Sequence, residues 1–188
     1  MSTSNNATSA DNQQERLIKL GWILGFVDGE GCFSLGVVKQ TDKEEEARKR
    51  KGYKLGIQIS HEFVVTQGEK SKSSLLDIKD FFGVGNLYIN KRYDNHKEHL
   101  YRYTVRKRED LLNIIIPFFE KNHLRTQKSK DFEIFAKGVK MMSQNEHFTK
   151  SGLIKIIQMT EGMNHHKSKQ HIIGILRNQT PKSVKKSR

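Results

Sequence analysis

Residues 20–31 read LGWILGFVDGEG and form the most informative segment of the chain. Apolar residues recur with helical spacing from Leu17 to Val27, and the glycines that follow end the helix. Gly21 and Gly25 lie four residues apart, so they share one helix face and leave no side chains between that backbone and a neighbour. A glycine inside a helix costs about 1 kcal/mol relative to alanine. We therefore expect close packing on this face, against either a second copy of the helix or the chain's own sheet.

Strands and helices alternate in a regular order after this first helix. Alternation of period two predicts strands at residues 33–40, 55–63, 86–92 and 100–106. Helical spacing predicts further helices at residues 74–82, 109–119, 129–142 and 152–163. The resulting order is helix, strand, strand, twice over, followed by helices. This is an α+β fold with an antiparallel sheet that packs under helices on one face.

The charge balance points to a polyanionic partner. The 188 residues include 34 Lys and Arg against 21 Asp and Glu, a net charge of +13. Leaving out the +5 of residues 177–188 and the −2 of residues 1–15 gives +10 for the rest, so the folded part itself is basic. Nucleic acid is the favoured partner and an anionic membrane surface comes second. No stretch approaches the roughly 20 apolar residues of a membrane span.

Composition also limits how the chain is organised. A hydrophobic fraction of 35% suffices for an ordinary core, and the single cysteine, Cys32, excludes a disulfide framework or a cysteine-rich zinc module. Residues 1–14 are polar and predict a flexible leader. Residues 15–176 then form a single domain, and residues 177–188 form a basic tail.

The segment of residues 20–31, followed by two strands, resembles the LAGLIDADG motif of homing endonucleases. From Arg16 to Met142 the predicted elements are similar in order and spacing to the αββαββα core of that family, whose antiparallel sheet forms a saddle. The resemblance implies a site-specific endonuclease that cuts double-stranded DNA. Leu24 stands where the family usually has a small alanine. Glu30 replaces the commoner aspartate and keeps the carboxylate.

The end of the motif predicts a metal site. Asp28 and Glu30 flank Gly29 where the backbone turns and shows its carbonyl oxygens. Because Mg²⁺ prefers hard oxygen ligands, we expect Glu30 and the Gly29 carbonyl to bind it. Two copies that meet along their glycine faces would bring two Glu30 carboxylates together, the arrangement that two-metal phosphodiester hydrolysis needs. The alternative is a helix C-cap with an idle surface glutamate.

The resemblance implies further catalytic residues. The segment Val65-Thr66-Gln67 looks like a family segment whose glutamine lies by the scissile phosphate and positions solvent, so this role is assigned to Gln67. The family often places a basic residue after the third helix, near the cleavage centre. Arg125 and Lys128 both fit that description, and the local spacing leaves the choice open.

A homodimer is implied because residues 120–188 contain no second copy of the motif. Its two-fold symmetry predicts a pseudo-palindromic target, since each subunit reads one half-site. The residues expected at the dimer interface are Gly21, Trp22, Gly25 and Asp28.

One face of the sheet is expected to read DNA, because a β-ribbon in the major groove places every second side chain against base edges. In this face Gln and Asn suit adenine, Arg suits guanine, Glu accepts from cytosine and Val38 suits a thymine methyl. Basic residues at 48–51, 70 and 72 add phosphate contacts. The base-reading candidates are Ser34, Val38, Gln40, Gln58, Ser60, Glu62, Tyr88, Asn90, Arg92, Arg102, Thr104 and Arg106.

Two other classes of function remain open at this point. One is a non-catalytic binder on the same fold, an RNA maturase or a regulator, for which intron RNA bound by the tail and final helices is the expected partner. The other is a basic structural protein without site specificity, against which the polar strand face argues. Family members usually come from introns in organelles, so the resemblance implies a chloroplast or mitochondrion.

Overall fold

The computed structural model describes residues 4–39, 55–93, 98–163 and 168–178. The strands in these ranges are β1 (Gly31–Lys39), β2 (Ile57–Gly68), β3 (Asn86–Asn90) and β4 (Leu100–Val105). The helices are α1 (Ser4–Glu30), α2 (Lys72–Phe82), α3 (108–121), α4 (Lys128–Ser143), α5 (Lys150–Thr160) and α6 (Gln170–Asn178). Short 3₁₀ turns occupy Glu69–Ser71 and Glu146–Phe148.

The four strands form one antiparallel sheet in the order β1-β2-β4-β3. In its register Gly31 pairs with Val65, and Val65 pairs with Tyr103 on the other side. The β3–β4 pairing places Leu87 beside the same Tyr103. The predicted α+β class and the helix-strand-strand order are therefore confirmed.

An aromatic core fixes the helices on one face of the sheet. Phe33 and Phe63, neighbours on β1 and β2, stack with ring centroids 5.1 Å apart. Phe119 from α3 and Phe135 from α4 pack their rings on Phe33, at 5.2 Å and 5.5 Å. Burial of these large apolar rings is the main force that holds the sheet to its helices. The opposite face of the sheet carries the polar residues.

The third helix contains a π-helical turn ahead of its proline. Its consecutive parts are Arg108–Asp110, the π-helical Leu111–Ile115 and Ile116–Lys121. Pro117 has no backbone N–H to donate to the preceding turn, and a widened turn there accommodates the missing bond. The π-helical turn still buries Leu111 and Ile115 completely.

Both ends of the chain differ from the sequence-based expectation. Residues 4–14, expected to form a flexible leader, are helical as part of α1. Once the buried turns of α1 form, extending a helix through residues such as Ala10 and Gln13 costs little per residue. At the other end Arg177, assigned to the tail, closes an unpredicted helix, α6, whose last turn accepts a hydrogen bond from Lys150 Nζ to the Arg177 carbonyl at 2.7 Å.

None of the helices within the described ranges is long and apolar enough to cross a membrane.

Candidate active site and nucleic-acid interface

The glycine face of α1 has no partner within the described part of this chain. A Cβ atom built on Gly21 or Gly25 meets no other atom within 4 Å. The opposite side of the helix is the one that packs on the sheet and its helices, because Ile23 and Val27 are completely buried. Of the two expectations for this face, packing on the chain's own sheet is therefore excluded.

Large apolar side chains lie along the same exposed side of α1. Leu17 is 66% exposed, Ile18 65% and Trp22 37%. Leu24, by contrast, is half-buried and packs against the core cluster. Its bulk, where the family usually has alanine, is therefore accommodated in part by the core of this chain.

The junction between α1 and β1 is tight. Helix α1 ends at Glu30 and strand β1 begins at the next residue, Gly31. A Cβ on Gly31 would lie 2.7 Å from the Val27 carbonyl oxygen, so only glycine allows the strand to leave the helix at this point. This junction holds the exposed Glu30 at the edge of the sheet.

Asp28 fastens the loop before α4 to the end of α1. Its Oδ2 accepts from the Arg125 N–H at 2.9 Å, and its Oδ1 accepts from the Thr126 N–H at 3.2 Å and the Thr126 hydroxyl at 2.7 Å. Burial alone would raise the pKa of Asp28, but these hydrogen bonds and the Lys128 charge hold that pKa below its usual range. Within the chain, the Asp28 carboxylate therefore fastens this loop, and its expected place at a dimer interface stays a prediction.

Lys128 reaches the end of α1 from the start of α4. Its Nζ donates to the Gly29 carbonyl at 3.0 Å, and its backbone N–H donates to the Thr126 hydroxyl at 3.2 Å. The Gly29 carbonyl, expected to bind metal, thus already accepts a lysine hydrogen bond. Arg125 is exposed and meets α1 through its backbone N–H. Of the two basic candidates, Lys128 is the one whose charged group contacts the motif.

The strand register brings Gln67 to the same corner. Because Gly31 pairs with Val65, the end of α1 lies beside the last residues of β2. Gln67 is half-buried there and pairs with Tyr101 of β4. The strand register and the Lys128–Gly29 hydrogen bond therefore place Glu30, Gln67 and Lys128 at the same corner of the sheet, although they are far apart in sequence.

Glu30 is the candidate metal-binding side chain at this corner. Among the described residues no three His, Cys, Asp or Glu side chains are grouped so that they could hold an ion. The exposed Glu30 carboxylate is nevertheless the hard oxygen donor that Mg²⁺ prefers. The donor chemistry of Glu30 thus fits the metal.

Most of the expected base-reading residues do share the sheet face opposite the helices. In the register, Ser34 pairs with Glu62, Val38 with Gln58, and Tyr88 with Arg102. Two of them lie outside the strands: Arg92 follows β3 and its N–H donates to His99 Nδ1 at 3.2 Å, and Arg106 directly follows β4. Gln40 and the basic residues 48–51 lie outside the described residues.

Thr104 departs from the expectation because it is only 3% exposed. Arg102 and Arg106 stand on either side of it along the chain, and both guanidinium groups reach Glu62 on the neighbouring strand. Because Arg102 pairs with Thr66, its side chain has to pass over the buried pair Val64 and Thr104 to reach Glu62, whereas Arg106 lies next to Glu62 across the strands. At the centre of this face, charged side chains therefore lie over buried residues. The Thr104 hydroxyl has no hydrogen-bond partner among the described residues.

The chain belongs to the LAGLIDADG endonuclease family. The family model, described as LAGLIDADG endonuclease, matches residues 23–139, which include most of the motif, the whole sheet and most of α4.

Individual proteins agree with this membership. The chain is 34% identical over 144 residues to a probable intron-encoded endonuclease 2 of Neurospora crassa, covering 76% of this chain and 28% of that protein. It thus spans little more than a quarter of that curated relative. Among solved structures, the homing endonuclease I-TnaI is 35% identical with a TM-score of 0.65, covering 84% of this chain and 95% of that chain. The meganuclease I-SmaMI, solved bound to uncleavable DNA, is 31% identical with a TM-score of 0.66, covering 85% of this chain and 49% of that chain.

Proposed function

We propose that two copies of this chain form a site-specific homing endonuclease that cleaves both strands of a long pseudo-palindromic DNA target by Mg²⁺-dependent hydrolysis. The observation that carries the proposal is the exposed, unfilled glycine face of α1, a helix that ends at Glu30, next to the Gly29 carbonyl that Lys128 contacts. An active site shared by two copies requires an exposed helix face for the contact and a carboxylate next to it. The glycine face and Glu30 meet both requirements.

The exposed glycine face of α1 supports a homodimer. Gly21 and Gly25 allow two helix backbones to approach closely, and Leu17, Ile18 and Trp22 supply apolar surface beside them. A closed two-fold contact of this kind pairs the same patch on both copies. The match to about half of I-SmaMI, a chain solved with DNA, agrees with a unit that acts in pairs.

Each residue at the corner then has a distinct task. Glu30 and Glu30 of the second copy would hold Mg²⁺, which would supply activation of a water nucleophile and stabilisation of the leaving oxygen. Lys128, held at the end of α1, places a positive charge near the phosphate where negative charge develops. The Gln67 amide orients the attacking water. Arg125 contributes its backbone N–H, which keeps the loop in place.

Double-stranded DNA is the proposed substrate because of the face next to these residues. Polar and charged side chains from all four strands share it, and the body of the protein is basic. Side chains on alternate strand positions can read base edges, while lysines and arginines outside the face contact phosphates. The solved DNA complex of I-SmaMI supports this choice.

The test is cleavage of a plasmid library with random inserts, in Mg²⁺ and in EDTA, by the full chain and by Glu30→Gln. We expect enriched, roughly palindromic cut sites that require both Mg²⁺ and Glu30. Glu120→Gln, which removes a carboxylate from an exposed ion pair with Lys140 on the helical side, is the matched control and should cut like the parent. Tight binding without cutting in any divalent ion would refute catalysis and leave a maturase or regulator, whose affinity for intron RNA would then be measured.

The cellular site of action is proposed from the relatives. The Neurospora crassa relative is named as intron-encoded, and introns that encode such proteins favour an organelle as the place of synthesis and action.

A further inference from the structure

Glu62 lies at the centre of a polar cluster on the sheet face proposed to meet DNA. Its Oε1 accepts a hydrogen bond from Arg102 Nη2 at 3.0 Å, and its Oε2 accepts one from Arg106 Nε at 2.9 Å. The Arg106 guanidinium also lies over the Tyr88 ring, with Cζ 5.8 Å from the ring centroid. Four side chains from neighbouring strands therefore hold one another in place.

The bond through Nε decides which edge of Arg106 stays open. A guanidinium carries five N–H donors in a rigid planar fork. Because Glu62 engages Nε, both terminal nitrogens of Arg106 remain without a protein acceptor among the described residues, and the side chain is 59% exposed. Two parallel donors on an exposed edge match the O6 and N7 acceptors that guanine shows in the major groove.

Arg102 is less suited than Arg106 to the recognition of a guanine. It shares the same carboxylate, uses one terminal nitrogen for it, and is only 33% exposed. Tyr88, at 49% exposed, supports Arg106 from the other side through a cation–π contact. Arg106 is thus held both by an ion pair and by an aromatic ring, with its outer edge open.

We propose that Glu62 is a positioning residue for base recognition, which aims Arg106 at one guanine in each half-site. The inference rests on the proposed function, in which this sheet face lies in the major groove. It also reassigns Glu62: rather than accepting from a cytosine, its two oxygens hold two arginines, and Arg106 reads the base. An arginine that is already oriented loses less side-chain entropy when it binds.

Glu62 also sets the charge of the cluster. Together with Arg102 and Arg106 it leaves a net charge of +1, and its removal leaves +2 on side chains that are no longer tied down. Freed arginines can contact phosphates, which bind strongly but carry no sequence information. Loss of Glu62 should therefore raise affinity for arbitrary DNA while weakening the preference for guanine.

The experiment is selection from a randomised duplex library in EDTA, so that binding is read without cutting. The proteins are the full chain, Glu62→Gln and Arg106→Lys, with Glu120→Gln as the matched acid-to-amide control on the helical side. A bidentate arginine–guanine pair discriminates by about 10-fold or more, so the selected sites of the parent should show one strong guanine in each half-site. Glu62→Gln and Arg106→Lys should lose that preference at the same position.

A second measurement separates positioning from a structural role. Salt titration of binding to a duplex of random sequence should give Glu62→Gln a steeper slope, by about 1 for each arginine that gains a phosphate contact. A folding defect would instead lower binding at every salt concentration. Guanine preference unchanged in Glu62→Gln would overturn this inference alone. Failure of the parent to bind any duplex would overturn it together with the proposed function.

Discussion

Asp28 shows how a single carboxylate organises the corner of the sheet. Its three hydrogen bonds to Arg125 and Thr126 tie together residues almost a hundred positions apart in the chain. Thr126 in turn accepts from the Lys128 N–H, so the same loop delivers the lysine to the Gly29 carbonyl. No local pattern in the sequence signals a contact of this range. This is why the sequence identified both Arg125 and Lys128 as candidates and favoured neither.

The first prediction separates these two residues. Lys128→Met should lower single-turnover cleavage about 100-fold, because removal of one preorganised charge or donor at a reacting phosphate has effects of that size. Arg125→Met should change cleavage far less, since the substitution keeps the backbone N–H that Asp28 accepts. Each variant is compared with the parent by quenched cleavage of a cognate duplex in excess Mg²⁺. A larger loss in Arg125→Met would show that the role of Lys128 is wrongly assigned.

At the level of elements, alternation of period two and helical spacing predicted the strands and helices that the local sequence determines. The period of two in the strands is confirmed, since Phe33, Leu35 and Phe63, which alternate with the expected base-reading residues, are buried. Features that depend on distant contacts were not predictable. Thr104 has the right period for the polar face, yet the Arg102 side chain passes over it to reach Glu62. Helix α6 was missed because its short apolar pattern becomes helical only where it can pack on the domain.

A cluster of basic groups joins three elements on the helical side of the sheet. His61 of β2 lies within electrostatic range of Arg108, in α3, and of His147, in the 3₁₀ turn Glu146–Phe148. Burial, reinforced by those two groups, lowers the pKa of His61 to about 4, and burial with Arg108 lowers the pKa of His147. Both imidazoles therefore favour the neutral form in the folded protein.

The second prediction concerns acid stability. Because the pKa of His61 is lower in the folded chain than the ordinary 6.5, its contribution to stability is present above pH 6.5 and is lost as the pH falls from 6.5 towards 4. His61→Gln should thus show a smaller drop in Tm than the parent between pH 7 and pH 5. His171→Gln, at an exposed position of α6, serves as the control and should follow the parent curve. Parallel curves for His61→Gln and the parent would contradict the prediction.

For the whole molecule, the incomplete features lie together. The glycine face, the exposed Glu30 carboxylate and the charged sheet face all adjoin the end of α1. In contrast, the opposite side of the sheet is closed by an aromatic core that one chain completes by itself. A stable fold that leaves one helix face unfilled beside an exposed carboxylate is the form expected of a unit that functions in pairs.

The third prediction tests that pairing with a substitution that favours the fold of the single chain. Gly25→Leu places a side chain where the described residues leave open space, and it replaces a helix-interior glycine, so the monomer should be more stable by up to about 1 kcal/mol. The same side chain should keep two copies of α1 apart and abolish both the dimer and cleavage.

Gly174→Ala, on a glycine of α6 that also has open space around it, should leave the dimer intact. Sedimentation velocity gives the oligomeric state and urea denaturation gives the stability. A Gly25→Leu protein that is still dimeric and still cuts would rule out the glycine face as the interface, because no close approach of the two helix backbones could accommodate leucine there.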